Sequence, residues 1–142
     1  MTRRARRVAA LGCAWVAAAA ALAGCGGEAH DLFVVQRDGS VPGASLALRV
    51  TDDGRASCNR GPLVDITSAQ LIDARELQRD LAPIAARRLA LAPGRGSVLR
   101  YRVTLEDGAV RFADTSRGQS PPLFRVAKLT RDIARGPCRL AR

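Results

Sequence analysis

Two periods run through this chain, and they change from two to about 3.6 and back. In residues 45–51, Leu46, Leu48 and Val50 alternate with Ser45, Ala47, Arg49 and Thr51, the signature of a strand with one buried face. Before it, residues 32–37 form an apolar, β-branched run that predicts a strand buried on both faces or nearly so. Between the two lies Asp38-Gly39-Ser40-Val41-Pro42-Gly43, turn-forming by composition, with glycines available for positive φ. Asp52-Asp53-Gly54 then turns the chain into residues 55–58, a short third strand.

The helical period follows. Leu71, Ala74, Leu77 and Leu81 recur on one face, with Asp73, Arg75, Glu76 and Arg79 opposite. Thr67 or Ser68 can cap this helix, which is expected to run to about Ala82. Pro83 is expected to end or kink it, with residues 84–91 forming a short second helix before Ala92-Pro93-Gly94. Alternation returns at 98–105, where Leu99, Tyr101, Val103 and Leu105 face inward and Arg100 and Arg102 outward. Asp107-Gly108 signals a hairpin into residues 109–113, with Val110 and Phe112 inward. A last helix carries the stripe Leu123, Val126, Ala127, Thr130, Ile133 and Ala134, and Gly136-Pro137 stops it. The order predicts an α+β fold: an antiparallel sheet of four to five strands with two main helices packed on one face. Residues 32–142 are expected to form a single domain.

The first 24 residues change the setting. A basic start through Arg7 precedes the alanine-rich apolar run 8–22, the layout of an export signal. Leu22-Ala23-Gly24-Cys25 resembles the lipobox of bacterial lipoproteins, so Cys25 is the expected lipidation site. Residues 25–31 then serve as tether, and the domain is expected at the extracytoplasmic face of the cell membrane. Of four cysteines, Cys13 leaves with the signal and Cys25 takes the lipid. Cys58 and Cys138 most simply pair as a disulfide in an oxidising compartment. A metal site lacks ligands: the one histidine, His30, lies in the tether, and no CxxC occurs.

The net charge of +10 suggests an anionic partner, but Arg3, Arg4, Arg6 and Arg7 belong to the signal. Past it the chain has only Phe33, Tyr101, Phe112 and Phe124 as aromatics, few platforms for stacking bases or sugars. Nucleic acid is therefore not the expected partner.

The pieces together resemble emfourin, a proteinaceous inhibitor of thermolysin-like metallopeptidases, and its related short domains. The residues that carry the likeness are Gln36-Arg37-Asp38-Gly39-Ser40-Val41-Pro42-Gly43 between two strands, and Leu89-Ala90-Leu91-Ala92-Pro93 after a helix. Tyr101-Arg102-Val103, Asp107-Gly108 and a Pro-led last helix complete it. The cysteine pair, the lipid anchor and Ser40 in place of a second turn glycine depart from that family. The resemblance implies a non-enzymatic binding module, with peptidase inhibition or regulation as its expected role. No inhibitory residue carries over.

Catalytic chemistry finds little footing. One tether histidine builds no triad, no Gly-x-Ser-x-Gly elbow occurs, and no cofactor motif is present. The carboxylate pairs Asp52-Asp53 and Glu106-Asp107 sit in tight turns, where geometry selects acidic residues. No catalytic residue is assigned. Two candidate binding surfaces remain. By strand parity Arg49, Arg100, Arg102 and Arg111 share the helix-free face of the sheet, where they could meet an acidic partner or a component of the cell envelope. The first hairpin offers Val41 and Pro42 at its tip, flanked by Arg37 and Asp38. A structural or assembly lipoprotein using the basic face is the alternative to a peptidase regulator.

Overall fold

The computed structural model describes residues 29–140, so the expected signal and Cys25 lie outside the described residues. Eight elements follow one another: β1 (Asp31–Gly39), β2 (Leu46–Thr51), β3 (Arg55–Cys58), β4 (Val64–Asp65), α1 (Ser68–Ala86), β5 (Leu99–Leu105), β6 (Gly108–Ala113) and α2 (Pro121–Arg135). The strands form one sheet in the order β4-β3-β2-β1-β5-β6, antiparallel at every pairing. The α+β class is as expected, and the sheet has six strands rather than four or five. The additional strand, β4, pairs only Val64 and Asp65 with β3. Two residues are too few to show a period.

Strand parity divides the middle of the sheet, most plainly along β5, while neighbouring residues are buried together at Leu32-Phe33, Val50-Thr51 and through β3. Phe33, Val35, Leu48, Val50, Val103 and Val110 are fully buried on the helix face. Against them pack Ala74, Leu77, Leu81 and Ala85 of α1 and Leu123, Val126 and Ile133 of α2. Helix α1 crosses the strands instead of following one. It starts just after β4 at one edge, and the Ala85 carbonyl reaches Gly108 of β6 at the other. Its 19 residues span roughly 28 Å, and six strands span roughly 24 Å, so one helix covers the full width of the sheet.

Thr67 is the N-cap: its hydroxyl accepts from the Gln70 amide, and the Gln70 side chain accepts from the Thr67 amide. Pro83 does not end the helix, and α1 runs on to Ala86. Proline removes one donor, and Pro83 sits on the exposed side of the helix. The helix ends instead at Arg87 and Arg88, the latter in the left-handed region at φ 53°. Residues 89–91, expected as helix, bond alongside β6 in parallel: Leu91 N–H donates to the Arg111 carbonyl and Arg111 N–H to the Leu89 carbonyl. Ser116 secures this segment, its hydroxyl donating to the Ala92 carbonyl and accepting from Ala113 N–H.

Helix α2 begins at Pro121 behind the N-cap Ser120, whose hydroxyl is buried without a partner. Pro121 and Pro122 supply no N–H for it. Arg125 of α2 grips three carboxylates of α1: its Nη2 reaches Asp73 and, at 2.9 Å, Glu76, and its Nη1 reaches Asp80 at 3.0 Å. Those acids hold the guanidinium charged more firmly than usual, Asp73 first among the causes. Arg125→Ala should lower stability by about 1 kcal/mol, because a side chain 37% exposed is screened by solvent. The drop should shrink in high salt, and urea denaturation at two ionic strengths measures both.

Tyr101 stacks on Phe112 with ring centroids 4.9 Å apart. Burial holds its ionisation above the ordinary tyrosine value, partly offset by Arg37 and Arg131. The unfolded chain therefore loses this proton first as pH rises. The Tyr101 contribution to stability should be constant below ~10 and fall above it, and Tyr101→Phe should remove that fall. Denaturant midpoints on either side of that pH test the pair.

Candidate functional site

The helix-free face of the sheet carries the charged side chains that alternation placed there. Strand register sets their neighbours. Arg102 of β5 lies directly opposite Arg111 of β6 on one side and Gln36 of β1 on the other. Two residues along β5, Arg100 lies opposite Asp38, with 3.9 Å between guanidinium and carboxylate. Arg49 of β2 sits farther across, paired with Val34 in register and bonded to Asp31. The four arginines expected on one face are thus on one face. They do not form one cluster: Arg100, Arg102 and Arg111 gather over β5 and β6, and Arg49 stands apart in its own ion pair.

Arg102 and Arg111 are both exposed, and neither makes an ion pair or side-chain hydrogen bond among the described residues. Like charges directly opposite on adjacent strands cost stability, of order 0.2–1 kcal/mol. Folding thus gains nothing from this pair. Residues 90–93 run along its outer side, next to β6, and Ala90, Leu91, Ala92 and Pro93 line a hollow together with Arg100, Arg102 and Arg111. That margin had no sequence signal, because its place depends on Ser116 and on Gly94, where a Cβ would come within 2.1 Å of the Thr115 carbonyl.

The first hairpin is built differently from what its composition suggests. Gly39 is not in a left-handed turn; it ends β1, where a Cβ would lie 2.0 Å from the Val98 carbonyl. The left-handed residue is Gly43, at φ 73°. Arg37, offered as a flank for recognition, turns inward: its Nε donates to the Ala44 carbonyl at 2.8 Å and its Nη2 to the Gly43 carbonyl at 3.0 Å. Its guanidinium closes the loop from within. Val41 remains exposed at the tip, at 43%, and Pro42 beside it is exposed too.

The turn carboxylates serve the turns. Asp53 accepts from Arg55 Nε at 2.7 Å and lies 2.6 Å from the Thr51 hydroxyl, and these bonds hold it below the usual carboxylate range. A general acid needs the opposite shift. Asp114, which the sequence did not single out, accepts from Ser97, Val98 and Leu99 and anchors the start of β5. Ser57 and Ser116 spend their hydroxyls on backbone carbonyls. Among the described residues no group of three or more His, Cys, Asp or Glu is placed to hold a metal ion. No helix among them is long and apolar enough to cross a membrane.

Cys58 and Cys138 are joined, with Cα atoms 6.1 Å apart. The bridge ties the chain beyond α2 to the end of β3, on the helix side of the sheet and away from the arginine face. Comparison with protein-family models, with curated proteins and with solved structures finds no match for this chain.

Proposed function

We propose that this protein is a non-enzymatic binding module, held at the extracytoplasmic face of the membrane by a lipid on Cys25, that docks an anionic component of the cell envelope on its helix-free sheet face. The observation that carries this reading is the Arg102–Arg111 pair, two exposed like charges facing each other across adjacent strands with no carboxylate between them. A protein keeps such a pair at a cost to folding, and binding of an anion repays it. The edges of the sheet support the face as the docking surface. Beyond β6, residues 89–91 and the Ser116 and Gln119 side chains already occupy backbone groups of Arg111 and Ala113. On the other side β4 is two residues long. Neither edge offers a long row of open donors and acceptors to an added strand.

The test compares the full chain with an Arg100→Glu/Arg102→Glu variant in affinity capture from solubilised envelopes. Species whose recovery falls at least tenfold with the charge reversal support the reading. Identical recovery from both proteins sinks it. The anchor is tested separately by Cys25→Ser, which should abolish acylation and release the protein from the membrane fraction; unchanged mass and partition would remove the lipoprotein reading.

A second reading, inhibition or regulation of an extracytoplasmic peptidase, has one observation in its favour. Arg37 locks the 40–45 hairpin, so exposed Val41 is displayed on a loop that loses little entropy on docking. Val41→Asp should then weaken inhibition of a thermolysin-like peptidase tenfold or more at an unchanged melting temperature. Purified protein that neither binds nor slows such peptidases removes this reading and leaves the first intact.

A further inference from the structure

The arginine face has a shape as well as a charge. Over β5 and β6 two hollows join at Arg102 and Arg111. The upper one is bordered by Asp38 and Arg100, with residues 90–93 along its outer side. The lower one is bordered by Arg88 and Glu106. From Arg100 to Glu106 the trough runs along the strand for about 20 Å, the length of roughly six extended residues. Its charge is not uniform along that length: Arg102 and Arg111 stand in the middle, Asp38 lies opposite Arg100 at one end, and Glu106 and Arg88 both border the other.

Resting on the docking face proposed above, we infer that this groove receives an extended peptide segment of a protein partner, carrying a short cluster of two or three acidic residues at its centre. Guanidinium forks match carboxylates in a two-point geometry, and all four positive groups here are arginines. At each end a carboxylate offsets an arginine, so the excess positive charge is confined to the centre and a continuous polyanion gains little beyond it. A uronate chain or a nucleic-acid strand lying along the trough would set its own charges against Asp38 and Glu106. The groove also lacks a stacking platform, because the two aromatic residues beneath it, Tyr101 and Phe112, turn their rings into the core and are 7% and 3% exposed. An extended peptide matches the trough in length, and Ala90, Ala92 and Pro93 give it a small apolar border to lie against.

The experiment measures fluorescence anisotropy of a labelled octapeptide with an Asp-Glu-Asp centre, and of its Asn-Gln-Asn counterpart, against the full chain in detergent. The acidic peptide should bind at least tenfold more tightly than the neutral one, and less tightly as salt rises. Arg102→Gln/Arg111→Gln should lose that tenfold preference while its melting temperature holds or rises, since a cross-strand repulsion has been removed. Arg79→Gln/Arg117→Gln removes the same charge elsewhere and should keep the preference. The assignment is overturned by an acidic peptide that binds no better than the neutral one, or by equal losses in the two double variants. Tighter binding of polygalacturonate or of phosphatidylglycerol vesicles at Arg102 and Arg111 also overturns the peptide, and leaves the docking face standing. Envelope capture indifferent to charge reversal is the separate result that removes the face.

Discussion

Opening the Cys58–Cys138 bridge, by reduction or by a Cys58→Ser/Cys138→Ser variant, is expected to cost about 4 kcal/mol and to lower the melting temperature by on the order of 20 °C. The size follows from the separation of 80 residues in sequence, which is a large loop to hold closed in the unfolded chain. The place of the bridge adds to it. After α2 the chain turns back on itself: Cys138 N–H donates to the Ile133 carbonyl and Leu140 N–H to the Ala134 carbonyl. Cys138 is thereby held to the helix end, and the sulfur bond fastens that end to β3. Without it, α2 is kept in place by its apolar stripe and by Arg125. Denaturant unfolding of oxidised and reduced protein measures the difference, and the urea dependence should steepen on reduction because the unfolded state expands. A loss below about 1 kcal/mol would mean that native strain or residual unfolded structure cancels the loop term.

The arginine face was legible because it rests on a period of two. A one-residue slip in β5 would have buried Arg100 and Arg102 and exposed Tyr101 and Val103, so the pattern leaves one register open. The helix stripes were legible for the same reason, as were the pairing of Cys58 with Cys138 and the hairpin that Asp107-Gly108 signals, although its loop residues are Glu106 and Asp107 and Gly108 already opens β6. What stayed hidden depends on distances between elements. Asp73 and Glu76 read as part of a solvated helix face, and Asp80 drew no notice, until α2 brings Arg125 within hydrogen-bond reach of all three. The border at 90–93 has neither period, and it is set by Ser116 and Arg111 from elsewhere in the chain. Pro83 misled through a local rule. The rule counts one lost hydrogen bond, whereas Leu77, Leu81 and Ala85 continue one buried stripe across it. The trough combines both cases: its arginines come from alternation, its border from tertiary contact. Half of the candidate site could therefore be named from sequence, and its shape could not.

Gly39 gives the sharpest test of how the first hairpin is made. Composition alone treats Gly39 and Gly43 as equivalent turn glycines, each replaceable at the modest cost of a left-handed residue. The structure separates them. Gly43 has φ 73°, so Gly43→Ala should cost about 1 kcal/mol, the ordinary penalty for a Cβ in that region. At Gly39 the backbone lies in the strand, and the difficulty is contact: a Cβ would sit 2.0 Å from the Val98 carbonyl oxygen and 3.2 Å from the Ala44 Cβ. That oxygen accepts from the Ser40 amide at 3.1 Å, so it cannot retreat without giving up the bond that holds the hairpin to the start of β5. Asp114 grips the Val98 and Leu99 amides from the far side and opposes the same movement. Gly39→Ala is therefore expected to cost about 3 kcal/mol, well above Gly43→Ala, through a backbone clash rather than a conformational preference. Thermal and urea unfolding of the two single variants decides it. Equal losses would return Gly39 to the role of a turn residue. A larger loss at Gly39 that is partly relieved by Asp114→Asn, which loosens the far side of the 97–99 strand entry, would locate the rigidity of the hairpin in its packing against β5.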